Sequence, residues 1–143
     1  MGAELLLDTG ALVSLLDRTE VHHDACRRFL DGWEGAIVST EAVLTESTYL
    51  MGRIPGGRAA AIDMFLSGGA TLLPLTRAML RRAHALIEQY ADLPMDFADA
   101  TLVVLAEELD ANQVLTTDRR DFEIYRIHGR RRFRIVPDSR APT

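Results

Sequence analysis

The segment LPMDFADATLVVLAEEL, residues 93–109, constrains the fold more than any other stretch of the chain. From Phe97 onward it is apolar around most of a helix, a pattern that belongs in an interior rather than on a surface. Its first turns nevertheless carry two carboxylates, Asp96 and Asp99. Charge at the mouth of a buried helix must meet solvent, a capping geometry or a cation. The chain therefore needs layers around this helix and a rim where its amino end emerges.

The rest of the sequence supplies those layers. A length of 143 residues with 48% hydrophobic and 26% charged side chains suits one compact domain with a real core. The periodicity predicts short strands at Glu4–Leu7, Ala36–Ser39, Thr71–Leu73, Val114–Thr116 and Arg134–Val136. Helices are predicted at Ala11–Leu16, Val21–Leu30, Glu41–Met51, Arg58–Leu66, Arg77–Tyr90, Phe97–Leu109 and Arg119–Tyr125. Strands alternating with helices argue for an α/β fold with a parallel sheet covered on both faces. No Gly/Ser/Pro-rich linker divides residues 1–137, and residues 138–143 read as a polar tail.

Composition then excludes several function classes. Cys26 is the only cysteine, so neither an internal disulfide nor a thiolate zinc site can form, and it reads as a small hydrophobe on a helix. His22, His23, His84 and His128 show no ligand spacing. The amino terminus, MGAELLLDTG, has no basic region, and no apolar run reaches the ~18 residues of a membrane span, so a cytoplasmic location without membrane contact is expected. A net charge of −5 argues against a simple basic nucleic-acid binder. All 16 cationic side chains are arginine, which removes any mechanism that needs a lysine.

In an open parallel sheet, sites form at the carboxyl ends of the strands. Asp8 ends the first predicted strand and Asp118 follows the fourth. The helix holding Glu46 leaves the second strand, so Glu46 lies at most ~9 Å from the same edge. The Phe97–Leu109 helix feeds the fourth strand, so it also begins there and brings Asp96 and Asp99. Each acid has an alternative use: Asp96 with Asp99, and Asp118 with Asp121, form D-x-x-D patterns that cap helix starts, and Asp8 precedes a helix too. Glu46 has Ala42, Val43, Tyr49 and Leu50 at helical spacing, an apolar face, which calls for an arginine or a metal as partner. Capping explains each aspartate separately but not their convergence. Gathered carboxylates repel one another, and a divalent cation with hard-oxygen preference, Mg²⁺ or Mn²⁺, reverses that penalty.

The stretches LLLDTGALVSLLD, AVLTESTYL, MDFADATLVVLAEEL and LTTDRRDF together resemble the four signatures of PIN-domain ribonucleases, in particular the VapC-type toxins of bacterial toxin–antitoxin modules. The likeness covers nearly the whole chain and keeps motif order. It implies a three-layer α/β/α fold around a five-stranded parallel sheet, and an acidic quartet of Asp8, Glu46, Asp99 and Asp118 that holds the metal. Asp8 and Asp99 would be its most direct ligands, Asp96 and Asp121 additional acids, and Thr116 or Thr117 a supporting hydroxyl. It further implies endonucleolytic cutting of RNA that leaves a 5′-phosphate and a 3′-hydroxyl, a cognate antitoxin that covers the pocket, and a homodimer. An acidic site does not attract RNA, so the phosphate grip must lie elsewhere: Arg119 and Arg120, or Arg130, Arg131, Arg132 and Arg134, which equally suit a solvated turn. Val21, Phe29 and Trp33 suit either a partner surface or a monomer core. The competing reading is a non-catalytic Mg²⁺-binding module, receiver-like or a degenerate PIN scaffold. A receiver or a haloacid-dehalogenase-type phosphatase uses a lysine that this chain lacks, and no G-K-[ST] phosphate loop is present.

Overall fold

The computed structural model describes residues 3–138. Five strands form one sheet: β1 (Glu4–Leu7), β2 (Ala36–Ser39), β3 (Thr71–Leu72), β4 (Gln113–Leu115) and, after a small hairpin described below, β7 (Arg134–Val136). Their order is β3-β2-β1-β4-β7 and every pairing is parallel. The connections move outward in one direction from β1 to β2 and β3, and in the other from β4 to β7. The reversal between β1 and β4 opens a crevice at their carboxyl ends.

Strand period sorts the leucines of β1 onto two faces. Leu5 and Leu7 join Leu115 and Val136 in a core under α1 (Thr9–Leu16), α2 (His23–Asp31) and α4 (Gly57–Leu66). Leu6 joins Val38 and Val114 in the opposite core, beneath α3 (Glu41–Met51), α5 (Arg77–Gln89), α6 (Phe97–Leu109) and α7 (Arg119–Ile124). The α6 segment is buried from Ala98 to Ala106, as its all-round apolar pattern requires. Cys26 is fully buried in the first core. Phe29 and Trp33 stack at 5.9 Å and pack against that core, whereas Val21 is 88% exposed.

Element boundaries differ from the expected ones by one or two residues, α1 starting at Thr9 and β4 covering Gln113–Leu115. One element escapes the periodicity altogether, a two-stranded antiparallel hairpin of β5 (Arg126–Ile127) and β6 (Arg131–Arg132). Its turn uses the left-handed region at His128 (φ 52) and Gly129 (φ 72). Of the residues expected as a polar tail, 139–143 lie outside the described ones. Among the described residues no helix is long and apolar enough to cross a membrane.

Because Leu102 is fully buried at the centre of α6, Leu102→Ala should cost ~2–5 kcal/mol, read by urea unfolding followed by circular dichroism.

Candidate active site

Three connections bring their side chains to the crevice. The β1–α1 turn carries Asp8 and Thr9, the β4–α7 turn carries Thr116, Asp118 and Asp121, and the amino end of α6 carries Asp96 and Asp99. The first two turns touch: a side chain at Gly10 would collide with the Thr117 hydroxyl and force it to turn away.

Thr116 ties the two turns together. Its Oγ1 donates to Asp8 Oδ2 at 2.6 Å and accepts from the Asp118 amide at 2.9 Å. Asp8 precedes α1 without a side-chain cap, so its carboxylate is not spent on the helix end. The two D-x-x-D patterns part company. Asp96 caps α6 by accepting from the Asp99 amide at 2.8 Å. Asp118 does not cap α7, its backbone (φ −99, ψ 73) being away from the extended conformation a capping residue adopts.

Carboxylate oxygens of Asp99, Asp118 and Asp121 all lie within 4.8 Å of one another, a grouping of hard donors that fits a divalent cation. Asp8 abuts this group, and its electrostatics register Asp118 and Asp96 as neighbours. Burial pushes the Asp8 carboxyl up to about 6 despite the hydrogen bonds from Thr116 and the Thr9 amide. Burial, then the charges of Asp8 and Asp96, raise Asp99 to about 8, against the opposing hydrogen bond from Tyr125. Asp118 is also raised, by partial burial and by Asp121. Tyr125 was not anticipated from sequence. It is fully buried, and its hydroxyl donates to Asp99 Oδ2 at 2.8 Å from 26 residues away.

Glu46 stands apart from the grouped acids. Among the described residues no arginine bonds to it; Thr9 Oγ1 donates to its Oε1 at 2.8 Å. The reason is that its helix face is apolar yet open: Tyr49 is 84% and Leu50 41% exposed. Glu46 stands half-buried at the wall of a cavity of about 410 Å³ between α3 and the start of α6, shared with Thr40, Leu75, Phe97 and Thr101. Thr9, the next residue to Asp8, is the link that joins it to the rim.

The arginines divide into two groups. Arg119 and Arg120 begin α7 beside Asp118, with Arg119 donating to the Pro137 carbonyl at 2.8 Å. Arg130, Arg131, Arg132 and Arg134 are exposed at the opposite edge of the sheet. Arg134 pairs with Gln113, the first residue of β4, and Arg131 pairs with Asp110 beyond the far end of α6 at 3.0 Å. Glu107 anchors this end, held by Arg82 at 2.9 and 3.0 Å and by the His128 amide at 2.7 Å. Along α6, Asp99 and Glu107 are separated by ~12 Å.

Residues 5–127 match the PIN domain family. The chain is 33% identical over 135 residues to Ribonuclease VapC26 of Mycobacterium tuberculosis, spanning 93% of this chain and 100% of that relative. Its fold is similar to that of M. tuberculosis VapC20, described as a sarcin–ricin loop cleaving toxin, with a TM-score of 0.70 at 20% identity over 77% of this chain and 86% of that one. It is also similar to DNA-bound VapBC from Salmonella typhimurium, with a TM-score of 0.66 at 20% identity over 93% and 98% of the two chains. A toxin–antitoxin complex from Klebsiella pneumoniae gives 0.64 at 18% identity over 82% and 89%.

The raised acids make a signed prediction. Between the ordinary 3.8 and the folded values of about 6 and about 8, the folded chain binds more protons than the unfolded one. In EDTA, stability should therefore fall as pH rises through this window, by at most ~1.4 kcal/mol per pH unit for each group. Melting curves should show that loss between about pH 4 and pH 8, and Asp99→Asn should flatten it and melt above the parent at the alkaline end.

Proposed function

The chain belongs to the PIN-domain family, among its VapC-type ribonuclease toxins, and on that premise we propose that it cuts RNA phosphodiester bonds at the crevice between β1 and β4, with Mg²⁺ or Mn²⁺ held by Asp8, Asp99 and Asp118. The observation that carries this reading is the gathering of acids from three separate chain segments, at which Asp8 and Asp99 are forced to about 6 and about 8. Such a cluster is costly when ionised and alone, and is made tolerable by a divalent cation.

When bound, the cation supplies charge to neutralise phosphate oxygens and activates water for in-line attack. The side chains do the rest. Asp8, Asp99 and Asp118 would present hard oxygens to the cation, with Asp121 beside Asp99 and Asp118. Thr116 keeps Asp8 and the Asp118 backbone in fixed relation. Glu46, with one oxygen held by Thr9, has the other to orient the attacking water or to complete the donor set. Asp96 shapes the mouth by fixing the start of α6. The products are a 5′-phosphate and a 3′-hydroxyl.

Arg119 and Arg120 are well situated to contact phosphates next to the scissile bond, and the arginines of the β5–β6 hairpin to contact RNA farther away. A cognate antitoxin and a second copy of the chain complete the proposal. Their support lies in relatives that are toxin–antitoxin complexes and in exposed Val21, Tyr49, Leu66 and Leu80, at 88%, 84%, 79% and 49%.

Asp8→Asn and Asp99→Asn should each lower Mg²⁺-dependent RNA cleavage by about a hundredfold or more while the protein stays folded. Full cleavage and unchanged growth arrest in folded variants would overturn the assignment. Replacing Arg130, Arg131 and Arg132 by alanine should weaken RNA binding and flatten its logarithmic salt slope by ~2, measured by filter binding across ionic strengths.

A further inference from the structure

Tyr125 closes the residue run after α7 with its ring wedged among other aromatics. Tyr90 meets it edge-on with centroids 5.2 Å apart, and Phe122 does the same from another side at 5.2 Å. Phe122 is held in turn by Phe133 at 5.3 Å. The backbone just beyond is pinned too, since the Arg126 amide donates to the Tyr90 hydroxyl at 3.1 Å. A ring so confined has little rotational freedom, and its hydroxyl is delivered to Asp99 Oδ2 at 2.8 Å. Packing alone does not call for that oxygen. A phenylalanine would fill the same space, and a buried hydroxyl is unfavourable unless it finds a partner.

We propose that Tyr125 is a positioning residue for the metal site, fixing the Asp99 carboxylate so that Oδ2 is retained by the aromatic floor and the other oxygen is presented toward Asp118 and Asp121. This rests on the metal-dependent reading above. Asp99 sits on a rigid helix, but its side chain still turns about its own bonds, and repulsion from Asp8 and Asp96 drives it away from the productive arrangement. A neutral donor opposes that rotation without cancelling the charge the cation needs. Orienting partners of this kind typically account for 10–100-fold in metal affinity.

The test uses the full chain and Mn²⁺ alone as probe. Tyr125→Phe removes one oxygen and keeps the ring, while Tyr90→Phe removes a hydroxyl from the same cluster that contacts the Arg126 amide and not Asp99. Calorimetric titration should show Mn²⁺ binding weakened about tenfold or more in Tyr125→Phe and held within about twofold of the parent in Tyr90→Phe. RNA cleavage by Tyr125→Phe should be depressed at low Mn²⁺ and largely regained at saturating Mn²⁺, a split that general destabilisation does not produce. Should Tyr125→Phe be too unstable for calorimetry, the rise in melting temperature on adding Mn²⁺ reports the same affinity and should shrink. Parent-like Mn²⁺ affinity in Tyr125→Phe, or equal losses in both variants, overturns the inference and leaves the ribonuclease reading intact. A parent chain that binds no Mn²⁺ overturns that reading, and this inference with it.

Discussion

Mutual repulsion of buried carboxylates is the constraint around which this chain is organised. Asp8 and Asp99 are 5% and 6% exposed, and the charge of Asp8 makes Asp99 harder to ionise. Nothing local holds them together: Asp8 ends β1 and Asp99 starts α6, with much of the sheet and five helices between them in the chain. Only the hydrophobic burial of α6 against β1 and α5, aligned with the β1–β4 pairing, keeps the acids at one rim. The apolar length of α6 and the charges at its mouth are thus two parts of one arrangement, the first supplying the free energy that the second opposes.

The hydrogen bonds around the rim follow one chemical rule. Three hydroxyls from three elements each take one oxygen of a different acid: Thr9 holds Glu46, Thr116 holds Asp8 and Tyr125 holds Asp99. A neutral donor aligns a carboxylate and leaves its charge in place, whereas a guanidinium would satisfy that charge and compete with a cation for it. The abundant arginines are engaged elsewhere, as Arg82 with Glu107 and Arg53 with Asp17 and Glu20 illustrate. Glu46, likewise, is met by the hydroxyl of Thr9.

Much of this was legible before any coordinates. The α6 segment declared itself because thirteen residues of one periodicity admit few alternatives, and the strands because short apolar runs alternate with helices. The convergence of Asp8, Asp99 and Asp118 then followed from connectivity alone. What stayed hidden depended on side-chain direction. Asp96 and Asp118 share one pattern, yet only Asp96 caps, since the Asp118 backbone lies away from the extended conformation a capping residue adopts. The Tyr125–Asp99 contact depends on how one ring lies between two others, Tyr90 and Phe122, which no spacing encodes. The β5–β6 hairpin escaped notice because Arg126–Ile127 and Arg131–Arg132 are too short and too charged to alternate.

That hairpin is tied to the middle of α5 and the last turn of α6 through the Glu107 carboxylate, which Arg82 and the His128 amide grip together. Its first strand follows directly on Tyr125, while its turn at His128, Gly129 and Arg130 is exposed. Charge and length at that exposed turn are therefore freer to diverge between relatives than the strand that begins beside Tyr125. A lineage built on this scaffold can vary that turn while inheriting the same fold beneath it.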